Sequence, residues 1–105
     1  MIKRLMSLCI ERTKKNEITW NAHLSSTNNI KSFNTYVMDK NFWFDIGIYK
    51  VKQVYYIDAK YCDEDKNFYD MYEAYAITPT PNDKEMYDGM EFLVELIEQS
   101  KNTLY

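Results

Sequence analysis

The apolar residues of this chain change their spacing twice along the sequence, and this change limits the fold more than any other feature. Near the N-terminus they recur every three to four residues, as on one face of a helix. In the middle they alternate with polar residues, as in a half-buried strand, and near the C-terminus the helical spacing returns. With 105 residues the chain can bury one core. We therefore predict one α+β domain over residues 1 to 105.

The two predicted helices lie at the ends of the sequence. The first covers residues 2 to 15, and the second covers residues 83 to 101 with Asn82 as its N-cap. Each helix has one apolar face, formed in the first by Ile2, Leu5, Met6, Cys9 and Thr13 and in the second by Met86, Met90, Leu93 and Ile97. Both helices are expected to pack on one face of a sheet.

Four to five strands are predicted between the helices, over residues 18–22, 33–38, 42–49, 54–62 and 68–78. The polar stretch from His23 to Ser32 is predicted to be a loop, and residues 39–41 and 63–67 are predicted to be turns. Because a parallel pair needs a long crossover, these short connections predict an antiparallel meander.

Charge is distributed unevenly along the chain. Residues 1–57 carry nine Lys/Arg and four Asp/Glu, whereas residues 58–105 carry four and twelve, so a net charge of -3 combines a +5 half with a -8 half. Such asymmetry indicates a charged interaction surface. The acidic half is expected to contact a basic surface of another protein.

The segment from Leu8 to Trp20 joins the end of the first helix, with Thr13, Lys14, Lys15 and Asn16, to an apolar pair, Ile18 and Trp20. It resembles the N-terminus of small uncharacterised proteins encoded by bacteriophages and mobile elements, and the order of strands and closing helix is similar as well. This resemblance implies an accessory or anti-defence context, like that of anti-CRISPR proteins, rather than a particular chemistry.

Tyrosine is abundant in the acidic half. Six of the ten tyrosines lie between Tyr55 and Tyr75, on two strands that are predicted to be adjacent. Exposed tyrosine is common at protein interfaces, whereas nucleic-acid binding would need Lys/Arg around the rings. The predicted partner-binding residues are Asp63, Glu64, Asp65, Tyr69, Asp70, Tyr72, Asp88, Glu91, Glu95 and Glu98. Alternatively, the tyrosines fill the sheet and the helix carboxylates only form a solvated face.

Two patterns suggest metal chemistry. Asp45, Asp58 and Lys60, together with Glu11 on the first helix, resemble the carboxylate and lysine constellation of restriction-like nucleases, which implies Mg²⁺ at the carboxylates. Alternating charges on a strand are the competing interpretation. Residues 63–74 match a calcium loop only at the first positions, because the sixth is Phe68 instead of Gly and the twelfth is Ala74 instead of Glu. A hairpin turn is therefore the interpretation favoured there.

Other cofactor sites have little support in the sequence. His23 stands alone in a polar stretch, Cys9 and Cys62 are expected to be reduced thiols, and the two glycines are isolated. We expect no cofactor, no membrane span and a cytoplasmic location. A third possibility is that the basic first helix contacts nucleic acid through Lys3, Arg4, Arg12, Lys14 and Lys15.

The function predicted from the sequence is a non-enzymatic inhibitor, of the anti-defence kind, whose acidic and tyrosine-bearing face blocks a basic nucleic-acid-binding surface. The alternatives are a metal-dependent nuclease and an immunity protein for a toxic nuclease. The sequence does not predict the oligomeric state.

Overall fold

A computed structural model describes residues 1–25, 27, 29–100 and 103–104. Two helices flank the strands in the sequence, and a last short strand follows the second helix. The elements are α1 (Ile2–Lys14), β1 (Trp20–Leu24), β2 (Ile30–Val37), a 3₁₀ turn (Met38–Lys40), β3 (Phe42–Tyr49), β4 (Val54–Cys62), β5 (Phe68–Ala76), α2 (Lys84–Gln99) and β6 (Thr103–Leu104).

The strands form one sheet in the order β5-β4-β3-β2-β1-β6. Strands β1 to β5 pair with their sequence neighbours in antiparallel orientation, which confirms the predicted α+β meander. Strand β6 was not predicted, and it pairs in parallel with β1 through Trp20 opposite Thr103 and Asn21 opposite Leu104. The Thr103 hydroxyl also donates a hydrogen bond to the Ile97 carbonyl oxygen, so β6 is joined to the end of α2.

The predicted loop from His23 to Ser32 was wrong at both ends. Strand β1 continues to Leu24 and β2 already begins at Ile30, since His23 pairs with Ser32 across the two strands. Polar side chains at these positions concealed the strand pattern. The predicted second strand also ended one residue late, because Met38 belongs to the 3₁₀ turn.

The closing helix starts one residue later than predicted, and Asp83 rather than Asn82 is its N-cap. The cap has no side-chain hydrogen bond, so the capping interaction expected from Asn82 does not form, and the helix begins with the backbone bond from Tyr87 N–H to the Asp83 carbonyl. The helix ends at Gln99, and Lys101 lies outside the described residues. The predicted apolar face is confirmed, because Leu93 and Ile97 are fully buried.

The core lies between the two helices and one face of the sheet. At its centre Trp20 is fully buried and packs edge-on against Phe44, with ring centroids 6.2 Å apart. The Trp20 indole N–H donates to the buried Thr13 hydroxyl at 3.0 Å, and that hydroxyl donates to the Cys9 carbonyl oxygen at 2.6 Å. A polar relay therefore fixes β1 against α1 without leaving the indole N–H unpaired.

In the described part of the chain, four residues other than glycine adopt positive φ, namely Asn16, Asn41, Gln53 and Lys66, with φ between 53° and 65°. Each follows a helix or lies in a turn between strands. Asparagine tolerates this left-handed conformation better than glutamine or lysine, whose side chains have no short route to the local backbone.

Candidate functional site

The two helices that the structure describes cover one face of the sheet and leave the other face uncovered. On β4 the side chains of Tyr55, Ile57 and Ala59 are buried under the helices, and because side chains alternate along a strand, their neighbours point the opposite way. We call the uncovered surface the open face. Its central residues are Tyr36, Trp43, Asp45, Tyr56, Asp58, Lys60, Asp70 and Tyr72.

Two carboxylates meet at the centre of the open face. Asp45 of β3 lies directly opposite Asp58 of β4. Burial raises the pKa of Asp45 to about 6, and repulsion from Asp58 acts in the same direction, while a hydrogen bond from Tyr56 opposes both. Like charges directly opposite each other destabilise a strand pair. This pair therefore carries a cost that a positive group would relieve.

Asp58 has an acceptor atom without a donor. Its Oδ1 is buried and receives no hydrogen bond from any residue that the structure describes. Burial raises the pKa of Asp58, and a hydrogen bond and repulsion involving Asp70 raise it further, against the attraction of Lys60. An unsatisfied buried acceptor is unusual in a folded protein.

Aromatic rings surround these carboxylates. Tyr56 and Tyr72 are stacked with ring centroids 6.0 Å apart, and the Lys60 ammonium lies 5.2 Å from the ring centroid of Trp43. Tyr72 keeps 63% of its surface exposed. Burial raises the pKa of Tyr56 to about 12, and the charge of Asp45 contributes to the same shift. Tyr56 therefore keeps its hydroxyl proton at neutral pH.

Gly47 explains how Tyr56 can lie flat on the sheet. A Cβ atom at position 47 would be only 2.5 Å from the Tyr56 ring, so any side chain there would displace it. Next to this ring is a cleft of about 310 Å³, lined by Ile30, Tyr49, Lys52, Val54, Tyr56 and Tyr72. The open face thus combines apolar contact area with carboxylates.

The predicted acidic turn between β4 and β5 is confirmed as a hairpin turn. The Asn67 backbone N–H donates to Asp63 Oδ1 at 2.8 Å, and the Tyr69 hydroxyl donates to Asp63 Oδ2 at 3.2 Å. The bond from the Asn67 backbone is the main reason that the pKa of Asp63 is lowered. Asp63 thus shapes the turn, while Glu64 and Asp65 are exposed.

The four predicted carboxylates of α2 form a stripe on the helix layer. Three of them have partners within the protein: Asp88 pairs with Lys84 at 3.0 Å, Glu98 pairs with Lys31 at 2.8 Å, and Glu91 accepts a hydrogen bond from Tyr87 at 3.0 Å. Glu95 is exposed. Burial, followed by the charges of Glu91, Glu95 and Glu98, raises the pKa of Tyr55 beneath the stripe.

The ten predicted partner-binding residues do not form a single patch. Asp70 and Tyr72 lie on the open face, whereas Tyr69 points to the opposite side, where it stacks on Tyr61 at 6.4 Å. The α2 stripe belongs to the helix layer, across the sheet from the open face. The binding-site prediction omitted Tyr36, Trp43, Asp45, Tyr56 and Asp58, which the structure brings onto the open face. Their alternation along each strand was visible in the sequence, but the register between strands was not.

The carboxylates of the nuclease hypothesis are only partly brought together. Asp45, Asp58 and Lys60 share the open face, but Glu11 lies on α1, on the other side of the sheet, and pairs with Lys15 at 3.0 Å. Within residues 1–25, 27, 29–100 and 103–104, no group of three or more His, Cys, Asp or Glu side chains is placed to hold a metal ion.

Most basic side chains of the first helix interact within the protein. Lys3 pairs with Glu85, Arg12 with Asp39 at 2.8 Å, and Lys15 with Glu11. The Lys14 ammonium lies 5.0 Å from the ring centroid of Phe92. These contacts leave the helix with few cations available for a phosphate backbone.

The remaining residues considered in the sequence are separate from this surface or at its margin. His23 lies on β1 rather than in a loop, and Cys9 and Cys62 are free thiols, the first buried and the second half-buried. Burial strongly raises the pKa of Cys9. None of the helices in the described part of the chain is long and apolar enough to span a membrane.

Comparisons with known proteins assign no family. No family model, curated protein or solved structure gave a significant match to this chain. The function of the protein is therefore inferred from the geometry of its open face, its acidic turn and the α2 stripe.

Proposed function

We propose that this protein is a non-enzymatic inhibitor of the anti-defence kind, encoded by a bacteriophage or mobile element, which docks its open face on a basic nucleic-acid-binding surface of its target. The single observation that carries this proposal is the group of three carboxylates on the open face, Asp45, Asp58 and Asp70, in which Asp58 Oδ1 is buried without a hydrogen-bond donor among the described residues. A guanidinium or ammonium group of the target that binds at the exposed Asp70 would offset the charge of this group.

The chemistry of the open face suits a cation presented on a protein surface. A guanidinium group can donate two parallel hydrogen bonds to a carboxylate and can stack on an aromatic ring. Tyr56 and Tyr72 offer such rings beside Asp58, and Trp43 already holds the Lys60 ammonium in this way. The acidic turn with Glu64 and Asp65 would add long-range attraction at the end of the sheet.

The open face is a better candidate than the α2 stripe. Asp88, Glu91 and Glu98 have partners within the protein, so a target would have to compete with those contacts. The exposed aromatic beside the stripe, Phe92, keeps only 37% of its surface exposed and already contacts the Lys14 ammonium, whereas Tyr72 keeps 63% exposed. Exposed aromatic anchors dominate binding energy at interfaces.

An immunity role would use the same surface against a toxic nuclease instead of a defence effector, and the choice of target separates the two. The nuclease alternative stays a hypothesis: Asp45 lies opposite Asp58 and shares the open face with Lys60, whereas Glu11 lies on the other side of the sheet. Cytoplasmic action is part of the proposal, because both kinds of target act inside the cell.

The proposal is tested by adding the protein to a panel of purified guided defence nucleases and measuring how much target DNA each retains in a mobility-shift assay. We expect at least one nuclease to lose its DNA. The double variant Asp58→Asn with Asp70→Asn should inhibit that nuclease at least about tenfold less well, because a desolvated charge pair contributes more than 1.4 kcal/mol.

Glu95→Gln is the matched control, since it removes one exposed charge from the helix layer, and it should inhibit like the wild type. Loss of inhibition in Glu95→Gln alone would move the interface to α2. If the protein displaces DNA from none of the nucleases in the panel, the anti-defence proposal is overturned.

A further inference from the structure

Strand β5 is an outer edge of the sheet, and its whole length is available for pairing. Among the residues that the structure describes, β5 has β4 on one side and no strand on the other, whereas the far end of the sheet is partly closed by β6. Strand β5 has nine residues, and Phe68 and Tyr72 expose 66% and 63% of their surface. This is a long and accessible edge.

The register shows which backbone groups of β5 face outward. The Asp63 N–H donates to the Asn67 carbonyl and the Ile77 N–H donates to the Gln53 carbonyl, so residues 67 and 77 belong to hydrogen-bonded pairs of the β4–β5 ladder. Such pairs alternate along an antiparallel ladder, so the odd-numbered residues of β5 bond to β4. The N–H and C=O groups of Phe68, Asp70, Tyr72, Ala74 and Ala76 therefore point away from the sheet.

The edge carries two charged side chains, but it lacks the proline, lysine and bulge that commonly prevent pairing. Strand β5 contains no proline and no lysine, and its register with β4 runs without a bulge from Cys62 opposite Phe68 to Val54 opposite Ala76. Natural sheets usually protect a long edge with one of these features. An edge of this kind is suited to accept another strand.

Charge indicates what kind of strand fits. Asp70 on the open face and Glu73 on the helix side are the charged residues of β5, and the neighbouring turn adds Glu64 and Asp65. A second copy of this protein, paired through its own β5, would bring the same carboxylates to the interface, and like charges oppose strand pairing. A strand with Lys or Arg would instead pair with them.

We propose that β5 accepts an extended segment of the target protein as a seventh strand, with Lys or Arg at alternate positions facing Asp70 or Glu73. This inference rests on the proposed function and specifies the part of the target that is bound. Backbone hydrogen bonds to the outward groups of β5 would give affinity, and the exposed rings of Phe68 and Tyr72 would give apolar contact.

The test uses a fluorescein-labelled nine-residue peptide of alternating Lys and Thr as the probe, with binding measured by anisotropy. Ala74→Pro removes one outward N–H and leaves the bonds to β4 in place, since proline is tolerated on the free side of an edge strand. Ala74→Val is the matched control because it keeps that N–H. We expect Ala74→Pro to weaken binding at least about tenfold and Ala74→Val to leave it within about twofold.

Amide hydrogen exchange provides a second readout. On peptide binding, exchange at Asp70, Tyr72 and Ala74 should slow, because their outward N–H groups become bonded. A peptide with Glu in place of Lys should not bind. Equal binding to both Ala74 variants, with weaker binding to Asp58→Asn plus Asp70→Asn, would overturn the edge inference and leave the proposed function standing.

Failure of the Lys–Thr peptide to bind the wild type would also overturn the edge inference. A dimer in sedimentation equilibrium that Ala74→Pro dissociates would show that the occupant is a second copy rather than a basic segment. In either case the nuclease assay would still decide the proposed function, because it does not depend on β5.

Discussion

At the scale of single residues, Asp45 and Asp58 show how the open face holds charge at a cost. The pKa of each carboxyl is higher in the folded protein than in water, mainly because burial disfavours the charged form. A group whose pKa is higher in the native state stabilises the fold below its unfolded pKa and loses that contribution as pH rises through the native value. The open face should therefore be most stable in mild acid.

Asp45→Asn tests this cost. For Asp45 the window runs from the ordinary pKa of 3.8 to about 6. The variant should be more stable than the wild type at pH 7 by roughly 1 kcal/mol, after allowance for partial exposure, because position 45 no longer carries a buried charge. Urea denaturation at pH 4 and pH 7 should show the difference only at the higher pH. Asp65→Asn, in the exposed turn, is the control, and an equal gain there would refute the explanation from burial.

At the scale of elements, α2 carries its core-packing side chains and its charged side chains on different faces. Met90, Leu93 and Ile97 fill the core with no exposed surface, and the acidic stripe lies on the flank of the same helix. The helix also comes close to α1, since a Cβ at Gly89 would lie 2.6 Å from the end of the Met6 side chain. Packing therefore determines where α2 lies, and its carboxylates are secondary to that.

Leu93→Ala and Glu95→Ala should differ sharply in stability. Truncation of the buried Leu93 side chain should cost about 2 to 5 kcal/mol, through lost transfer free energy and the cavity that remains. Glu95→Ala should change the free energy of unfolding by less than about 0.5 kcal/mol. Chemical denaturation measures both, and a loss in Glu95→Ala as large as in Leu93→Ala would contradict the face assignment.

Sequence reasoning succeeded where one strand or helix carried its own pattern. Strands β3 and β4 have the predicted bounds, because apolar residues alternate along β3, β-branched and aromatic residues are frequent in β4, and clear turns flank both. It failed at β1 and β2, where His23 and Ser32 look like loop residues but pair with each other. The pairing of Asp45 with Asp58 depends on the register between β3 and β4, and its exposure depends on which face of the sheet the helices cover. Neither can be predicted from the sequence of a single strand.

At the scale of the whole molecule, the two oppositely charged halves of the sequence meet in the fold. Lys3 pairs with Glu85 and joins α1 to α2, and Lys31 pairs with Glu98 and joins β2 to α2. Part of the charge asymmetry seen in the sequence is thus used inside the protein. The charge that remains on β5 and the acidic turn is what a partner would meet.

Exchanging the charges of one such pair tests this use. Lys31→Glu should cost about 1 kcal/mol, because it places like charges together. Adding Glu98→Lys should recover part of that loss, but not all, since Lys31 also lies 5.6 Å from the ring centroid of Phe33. Urea denaturation at low and high salt measures the effect. A double variant no more stable than Lys31→Glu alone would show that the pair does not join the halves.

The left-handed residues at the turns have a practical consequence for anyone who engineers this protein. With only two glycines in the chain, the turns at Gln53 and Lys66 are made by residues that adopt positive φ at a cost of roughly 1 kcal/mol each. Glycine at either position would relieve that cost without touching the core, the open face or the edge. Glycine substitutions at these turns should therefore raise the thermal stability of the protein. The added stability could offset destabilising substitutions that are made elsewhere to change what the protein binds.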